Sequence, residues 1–435
     1  MVASLAVLPV VATGRPLDST LGVEVLGTDL SNPQGFPVTS ITVGLAPSDA
    51  VYDSANGYVY VSNQGSSNVS VINGTTVVGS VFVGGEPEQG VFDSGNGYVY
   101  VTNCISANVS VLSGTTVVGS VKVGSGTTGC TGYEATYDSG NGYVYVTSSE
   151  LGKVTVLRGT TVVGLVNVGF GDNYPTYDSG NGYVYVASGF APAMGNVTII
   201  NGTAIVGILP AGVGAGPSAY DSGNGFVYVV NYGSGNVSVL SGTKVVGSVN
   251  VGSVPFQLTY DSKNGDMYVT KDGPGNVSVI KGTTLLTSVS VGPAAILGDS
   301  PSFAAYDNGN GYVYVTDQAS SDLSVINGTT VIGSVPIGSP LWAPPVYDAG
   351  NGYVYVSNGG STASIIGATP PSSGSPASFL GLPATEGYAV LGGAVGVVLV
   401  GTVVAIVLLR RRGKTSPSAG SSPSKPGGGH PPIPP

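Results

Sequence analysis

Eight near-copies of one dozen residues, spaced 40 to 46 residues apart and rich in Val, Tyr and Thr, predict an all-β repeat protein. A period of that length with strand composition points to a β-propeller of four-stranded blades. A stretch near the N-terminus that resembles the last strand of each unit predicts that this strand closes the ring. A run of 22 uncharged residues near the C-terminus, backed by Arg410, Arg411, Arg412 and Lys414, adds a transmembrane helix.

The unit is clearest in FDSGNGYVYVTN, which begins at Phe92; its copies begin at Tyr52, Tyr137, Tyr177, Tyr220, Tyr260, Tyr306 and Tyr347. In the Phe92 unit, strand a ends at Asp93, b covers 98–102, c covers 108–112 and d covers 116–123. SGNG joins a to b, and Asn-Gly is a strong hairpin signal when both turn residues take φ > 0. A Gly-centred NGTT or SGTT joins c to d. The aspartate closing strand a is expected to accept backbone N–H groups across the turn. Those aspartates are Asp53, Asp93, Asp138, Asp178, Asp221, Asp261, Asp307 and Asp348. A ring of Ca²⁺ sites is the sharper alternative, but each turn offers one Asp and one Asn, and a calcium loop needs several converging oxygen side chains. The YVYV of strand b is apolar throughout, as in a strand packed on both faces. Its Tyr hydroxyls are expected to reach the wet edge of the blade stack.

The last unit has strands a, b and c but no d. VTSITVG, at 38–44, matches the GSVKVG of strand d and precedes the first unit. This N-terminal strand is expected to complete the last blade and remove its exposed edge. The count is then eight blades; seven, with one unit displaced, is the alternative.

YVTN at Tyr100 and YVSN at Tyr60 and Tyr355 resemble the YVTN family of β-propeller repeats, over residues 38–366. The resemblance implies an archaeal surface-layer-type protein or a secreted bacterial propeller. It implies no shared catalytic residue. Other units depart from the motif: YVTS at Tyr145, YVAS at Tyr185, YVVN at Tyr228, YVTK at Tyr268 and YVTD at Tyr314.

Beyond the propeller, 367–387 is rich in Pro, Ser and Ala and reads as a stalk. The span 388–409, YAVLGGAVGVVLVGTVVAIVLL, is about 33 Å long as a helix, enough for a bilayer core. The basic residues after it place the low-complexity tail, 410–435, in the cytoplasm and the propeller outside. Gly392 and Gly396 form one GxxxG, a motif that can pair such helices, and the oligomeric state stays open. The segment 1–37 opens with MVASLAVLPVVATG, the apolar core of a signal peptide without a basic start. The alternative, a tail-anchored chain with a cytosolic propeller, would draw five basic residues across the membrane.

Through Glu386 the chain carries 23 acidic residues against eight Lys and Arg. Such a body argues against a nucleic-acid partner, whose phosphates need neutralising. The only His is His430, in the Pro-rich tail. That excludes a His base, a Ser-His-Asp triad and His metal ligands in the propeller. No cofactor motif appears, and the glycines are turn glycines. The reading is therefore a membrane-anchored, non-enzymatic surface module for envelope proteins or glycans. Its rival is an exported propeller enzyme such as a lyase, lactonase or Ca-assisted hydrolase, or else a surface sensor.

Binding is expected on the face carrying the b–c and d–a loops, where the units vary. Insertions fall there at 125–134, 189–195 and 293–302. Tyr133, Phe170, Tyr174, Phe190, Tyr232, Phe256 and Trp342 collect on it, either as ligand contacts or as plugs onto the blade edges. Cys104 and Cys130 also fall there, and a disulfide between them suits an oxidising exterior. Glu86 and Glu88 read as a solvated loop pair. Eight sequons, at Asn68, Asn73, Asn108, Asn196, Asn201, Asn236, Asn276 and Asn327, could carry N-glycans.

Overall fold

The computed structural model describes residues 35–124, 133–272, 275–291, 301–338 and 343–367. The N-terminal residues 1–34, Cys130, Trp342, most of the stalk, the expected span 388–409 and the tail lie outside the described residues. Among the described residues no helix is long and apolar enough to cross a membrane.

Eight four-stranded antiparallel sheets form an all-β propeller. In the first blade, strand a is Pro47–Asp53, b is Tyr58–Asn63, c is Asn68–Asn73 and d is Thr76–Phe82. The eighth blade is assembled from both ends of the array. Its a, b and c strands are Val346–Asp348, Tyr353–Asn358 and Thr362–Gly367, and Val38–Thr42 adds the outer strand. Val38 pairs with Ile366 and Thr42 with Thr362. The ring thus closes as the repeats predict, with eight blades rather than seven.

The core lies between blades. Val59 and Val61 of strand b, either side of Tyr60, are fully buried, as in every blade. Tyr60, Val69 and Val71 of blade 1 pack against Val99, Val101 and Leu112 of blade 2. A strand buried on both faces must be apolar at every position, which explains YVYV. The second Tyr of that motif ends away from solvent, not at a wet edge: Asn96 Nδ2 donates to Tyr100 Oη at 3.0 Å, and the same pair recurs in all eight blades. Tyr355 Oη donates to Gly74 O at 2.9 Å, joining blade 8 to blade 1. A buried phenol needs such a partner, because an unpaired hydroxyl forfeits its hydration.

The a–b turn is longer than the two-residue hairpin its Asn-Gly suggested. Asp93 pairs with Tyr98, and Gly97 N donates to Asp93 O at 2.9 Å. Gly97 alone takes a positive φ, +75°, while the Asn stays right-handed and turns its side chain to the backbone. Asn96 Oδ1 accepts from Tyr98 N at 2.9 Å. Asp93 Oδ1 accepts from Gly95 N at 2.8 Å and Asn96 N at 3.3 Å. The other seven aspartates accept in the same way. Tyr137 of the next blade leans onto this turn and accepts from Gly95 N at 3.1 Å.

Candidate functional site: the channel mouth

Successive a strands pack against one another, and the first and last also meet. They therefore surround an axis. Strand a carries a register irregularity near its start, between Pro47 and Ala50, Pro87 and Gly90, Ala215 and Ser218, Pro255 and Leu258, and Pro301 and Phe303. Such bulges re-aim side chains. In these five blades the irregularity lies beside the residue four before the repeat aspartate, at the end fed by the d–a loops. All eight blades contribute to one cavity of about 400 Å³ there.

That position differs from unit to unit: Asp49, Gln89, Glu134, Tyr174, Pro217, Gln257, Phe303 and Pro344, each on the cavity wall. Blades 1 to 3 supply the acids Asp49, Glu88 and Glu134. Blades 4 to 8 supply Tyr174, Pro217, Phe256, Leu258, Phe303 and Pro344. Phe256 and Phe303 meet edge to face, their centroids 5.4 Å apart and planes at 77°. Among the described residues no Lys, Arg or His lines the cavity.

Several polar groups of the wall also stitch the blades. Asp49 Oδ2 accepts from Gly90 N at 3.1 Å, Gln89 Oε1 accepts from Ala135 N, and Gln257 Oε1 accepts from Ala304 N at 2.9 Å. Their second polar atoms, Oδ1 of Asp49 and Nε2 of the glutamines, do not take part in these bonds. Asp49 is half-buried on the channel wall. Desolvation pushes its carboxyl up to about 7, against the opposing pull of the Gly90 and Ala50 N–H groups. Burial also raises Glu88, which accepts from Tyr133 N at 3.1 Å and feels the charge of Glu86. Glu88 is therefore not a solvated loop residue: strand a begins at Pro87 and carries it onto the channel wall. Among the described residues no group of three His, Cys, Asp or Glu could hold a metal ion.

The expected binding aromatics divide. Tyr174 and Phe256 line the cavity. Tyr133 is a plug: it is buried between blades 2 and 3, with its hydroxyl donating to Glu150 Oε1 at 3.0 Å. Phe170, Phe190 and Tyr232 are exposed, and Tyr232 borders a shallow second groove with Ser234 and Asn250. Trp342 lies outside the described residues. The insertion at 189–195 is partly absorbed by longer strands, Tyr183–Gly189 and Met194–Asn201, with 190–193 left as the loop. Of the other two insertions, only residues 133, 134, 301 and 302 are described.

Cys104 is buried and disulfide-bonded, and its backbone N donates to Glu86 O at 2.9 Å. Cys130, the other cysteine of the sequence, lies outside the described residues. Among the sequons, Asn73, Asn196, Asn201 and Asn327 are exposed. Asn68 is buried, with Nδ2 donating to Ser80 Oγ at 3.0 Å, and Asn108 bonds Ser120 in the same way. Asn236 is half-buried and its Oδ1 accepts from Asn231 Nδ2, while Asn276 is half-buried too.

Asp49, Gln89, Glu134, Gln257 and Phe303 were not singled out from the sequence. Their signal is positional: they occupy the varying site inside an otherwise copied unit.

No protein-family model matches the chain, and no curated protein matches it. Solved structures do. The C-terminal WD40 domain of Sif2 superimposes with a TM-score of 0.62 at 7% identity, over 77% of this chain and 99% of that one. The Dos1 propeller gives 0.60 at 11% identity, over 78% and 97%. Virginiamycin B lyase from Staphylococcus aureus gives 0.51 at 10% identity, over 77% and 100%. At these identities the likenesses establish the β-propeller fold and carry no activity with it.

Proposed function

We propose that the chain is a cell-surface binding protein of the kind its YVTN-like repeats imply. A rigid propeller stands outside the cell on the 367–387 stalk, held by the 388–409 helix, and presents its channel mouth to envelope proteins or glycans without catalysing a reaction. One observation carries the binding face. The repeats are nearly identical wherever they build blades and differ where they line the cavity, so the variation is concentrated at the mouth. Surface display is supported by the uncharged span and the basic residues that follow it. The exposed sequon asparagines Asn73, Asn196, Asn201 and Asn327 are the ones open to glycosylation, and a Cys104–Cys130 pairing fits the same exterior.

The test is co-sedimentation of the full-length protein, in detergent, with washed envelope fragments of the producing cell. The wild type should pellet with them, and Phe256→Ala/Phe303→Ala should lose at least tenfold in apparent affinity with an unchanged melting temperature to within a few degrees. Equal sedimentation of both would move the binding face elsewhere.

The second reading, an enzyme, is favoured by Asp49 alone. A carboxyl pushed up to about 7 is poised to exchange protons near neutrality. The hydroxyl beside it on the wall, Ser48 Oγ, donates to the backbone carbonyls of Ser62, Pro87 and Glu88 rather than to Asp49, which is why binding is preferred.

A further inference from the structure

The cavity wall carries two side-chain amides in matched positions. Gln89 of blade 2 and Gln257 of blade 6 each stand four residues before the repeat aspartate, and blades four apart in a ring of eight face one another across the axis. Each Oε1 accepts a backbone N–H of the next blade, from Ala135 for Gln89 and from Ala304 for Gln257. That bond fixes the orientation of each amide: the oxygen is held by the scaffold, and the Nε2 group is the end left for a ligand. Among the described residues neither Nε2 has a protein partner, and neither is sealed from the channel. Around them Tyr174, Phe256, Leu258, Phe303 and Pro344 make the wall of blades 4 to 8 largely apolar. The acids Asp49 and Glu88 are tied to the scaffold too, accepting from Gly90 N and Tyr133 N. The mouth thus offers donors fixed on opposite sides of a largely apolar channel. An anion finds no Lys, Arg or His among the described lining residues. A sugar ring stacks best on a flat ring face, whereas Phe256 and Phe303 meet edge to face and form a corner. An ordinary peptide brings N–H groups, and the side-chain oxygens of Gln257, Thr176 and Ser218 are already paired. A donor buried there without a partner weakens binding.

We propose that the channel mouth binds a proline-rich segment of an envelope protein, its carbonyl oxygens accepting from Gln89 Nε2 and Gln257 Nε2 and its pyrrolidine rings against Tyr174, Phe256 and Phe303. A run of prolines has carbonyls and no N–H to leave unpaired. Its compact apolar rings suit the corner between Phe256 and Phe303. Its backbone is extended before it binds, so little conformational entropy is lost, and aromatic-lined sites are the usual receptors for that form. One polyproline II turn is three residues and about 9 Å long. That is in scale with a cavity of about 400 Å³. This assignment names the partner class of the binding face proposed above and rests on that reading.

The experiment is calorimetric titration of the full-length protein in detergent with three probes: an N-acetylated hexaproline amide, an N-acetylated alternating alanine–serine hexapeptide amide, and chitotetraose. Hexaproline should bind at least tenfold tighter than the alanine–serine peptide. Gln89→Glu/Gln257→Glu keeps each oxygen that the next blade uses and replaces each Nε2 donor by an acceptor. It should weaken hexaproline at least tenfold, with the melting temperature unchanged to within a few degrees. Phe256→Ala/Phe303→Ala should also weaken it at least tenfold. The comparison of the two peptides needs no variant and stands if a double variant misfolds. Equal binding of the two peptides overturns the proposal, as does hexaproline binding that neither double variant alters. Chitotetraose binding with hexaproline silent overturns it while leaving the mouth a binding face. Silence from all three probes also overturns it. The envelope sedimentation then decides the fate of the face separately.

Discussion

At the scale of single residues, the same carboxyl chemistry has two outcomes set by surroundings. The turn aspartates are buried, but each receives N–H groups from its own turn, so Asp93 holds its loop in shape. Asp49 is drawn on by the Gly90 and Ala50 N–H groups, and among the described residues no Lys, Arg or His lines its cavity. Its neutral form is favoured in the folded chain, with a pKa of about 7 against an ordinary 3.8. The folded state therefore holds a proton between those values that the unfolded chain has released. Stability from this group is greatest at low pH and declines as pH rises toward about 7, by at most ~1.4 kcal/mol per pH unit. Glu88, Asp53 and Asp307 are raised by burial as well and act in the same direction. Asp49→Asn should flatten the fall in stability between pH 4.5 and 7 relative to wild type, measured by denaturant unfolding. Parallel curves for the two proteins would show that Asp49 is as acidic as a solvated carboxylate. The sequence could not reveal this, because GEPEQ and APSDA look like ordinary loop text. Only the place of Asp49 and Glu88 on the channel wall, beside the strand-a bulge, distinguishes them from solvated acids.

At the scale of elements, the strands were readable and their ends less so. YVYV between two glycine turns specifies a strand buried on both faces, and b and c fall within one or two residues of their expected limits. The turn dihedrals were not readable. Asn-Gly is common to several turn types, and here Asp93 and Asn96 stabilise the longer one through their side chains. Packing also decides a glycine in strand d. A Cβ on Gly79 would stand 2.7 Å from the Thr115 methyl of the next blade, so the blades approach too closely there for a side chain. The closing strand Val38–Thr42 is the element on which the ring depends. Ile41 packs with Ala50, Val59 and Ile72 of blade 1 and Tyr355 and Ile365 of blade 8. Ile41→Asp should cost roughly 2–5 kcal/mol, because it loses apolar burial and puts a charge in that seam. Val78→Asp, on an exposed outer strand, should change stability by less than about 0.5 kcal/mol. Equal effects at the two sites, read from unfolding midpoints, would mean that this strand does not close the ring.

At the scale of the whole molecule, ring closure and the copied unit make a stiff scaffold whose differences are gathered at one axial mouth. The repeat, the blade number and the ring-closing strand were all legible, since each follows from periodicity and from an unmatched strand at either end. The cavity was only half legible: Tyr174 and Phe256 were recognised as aromatics on the right face, while Glu88 was read as a solvated loop residue and Asp49 and Glu134 were hidden by the absence of any motif. The proposed function depends on this scaffold being displayed outside the cell. Protease treatment of intact cells, with separate blotting for the propeller and the tail, tests that most directly. Propeller signal lost or cut while the tail stays protected is the predicted result. Propeller and tail both protected until lysis would contradict it and place the mouth, with its acids and rings, inside the cell.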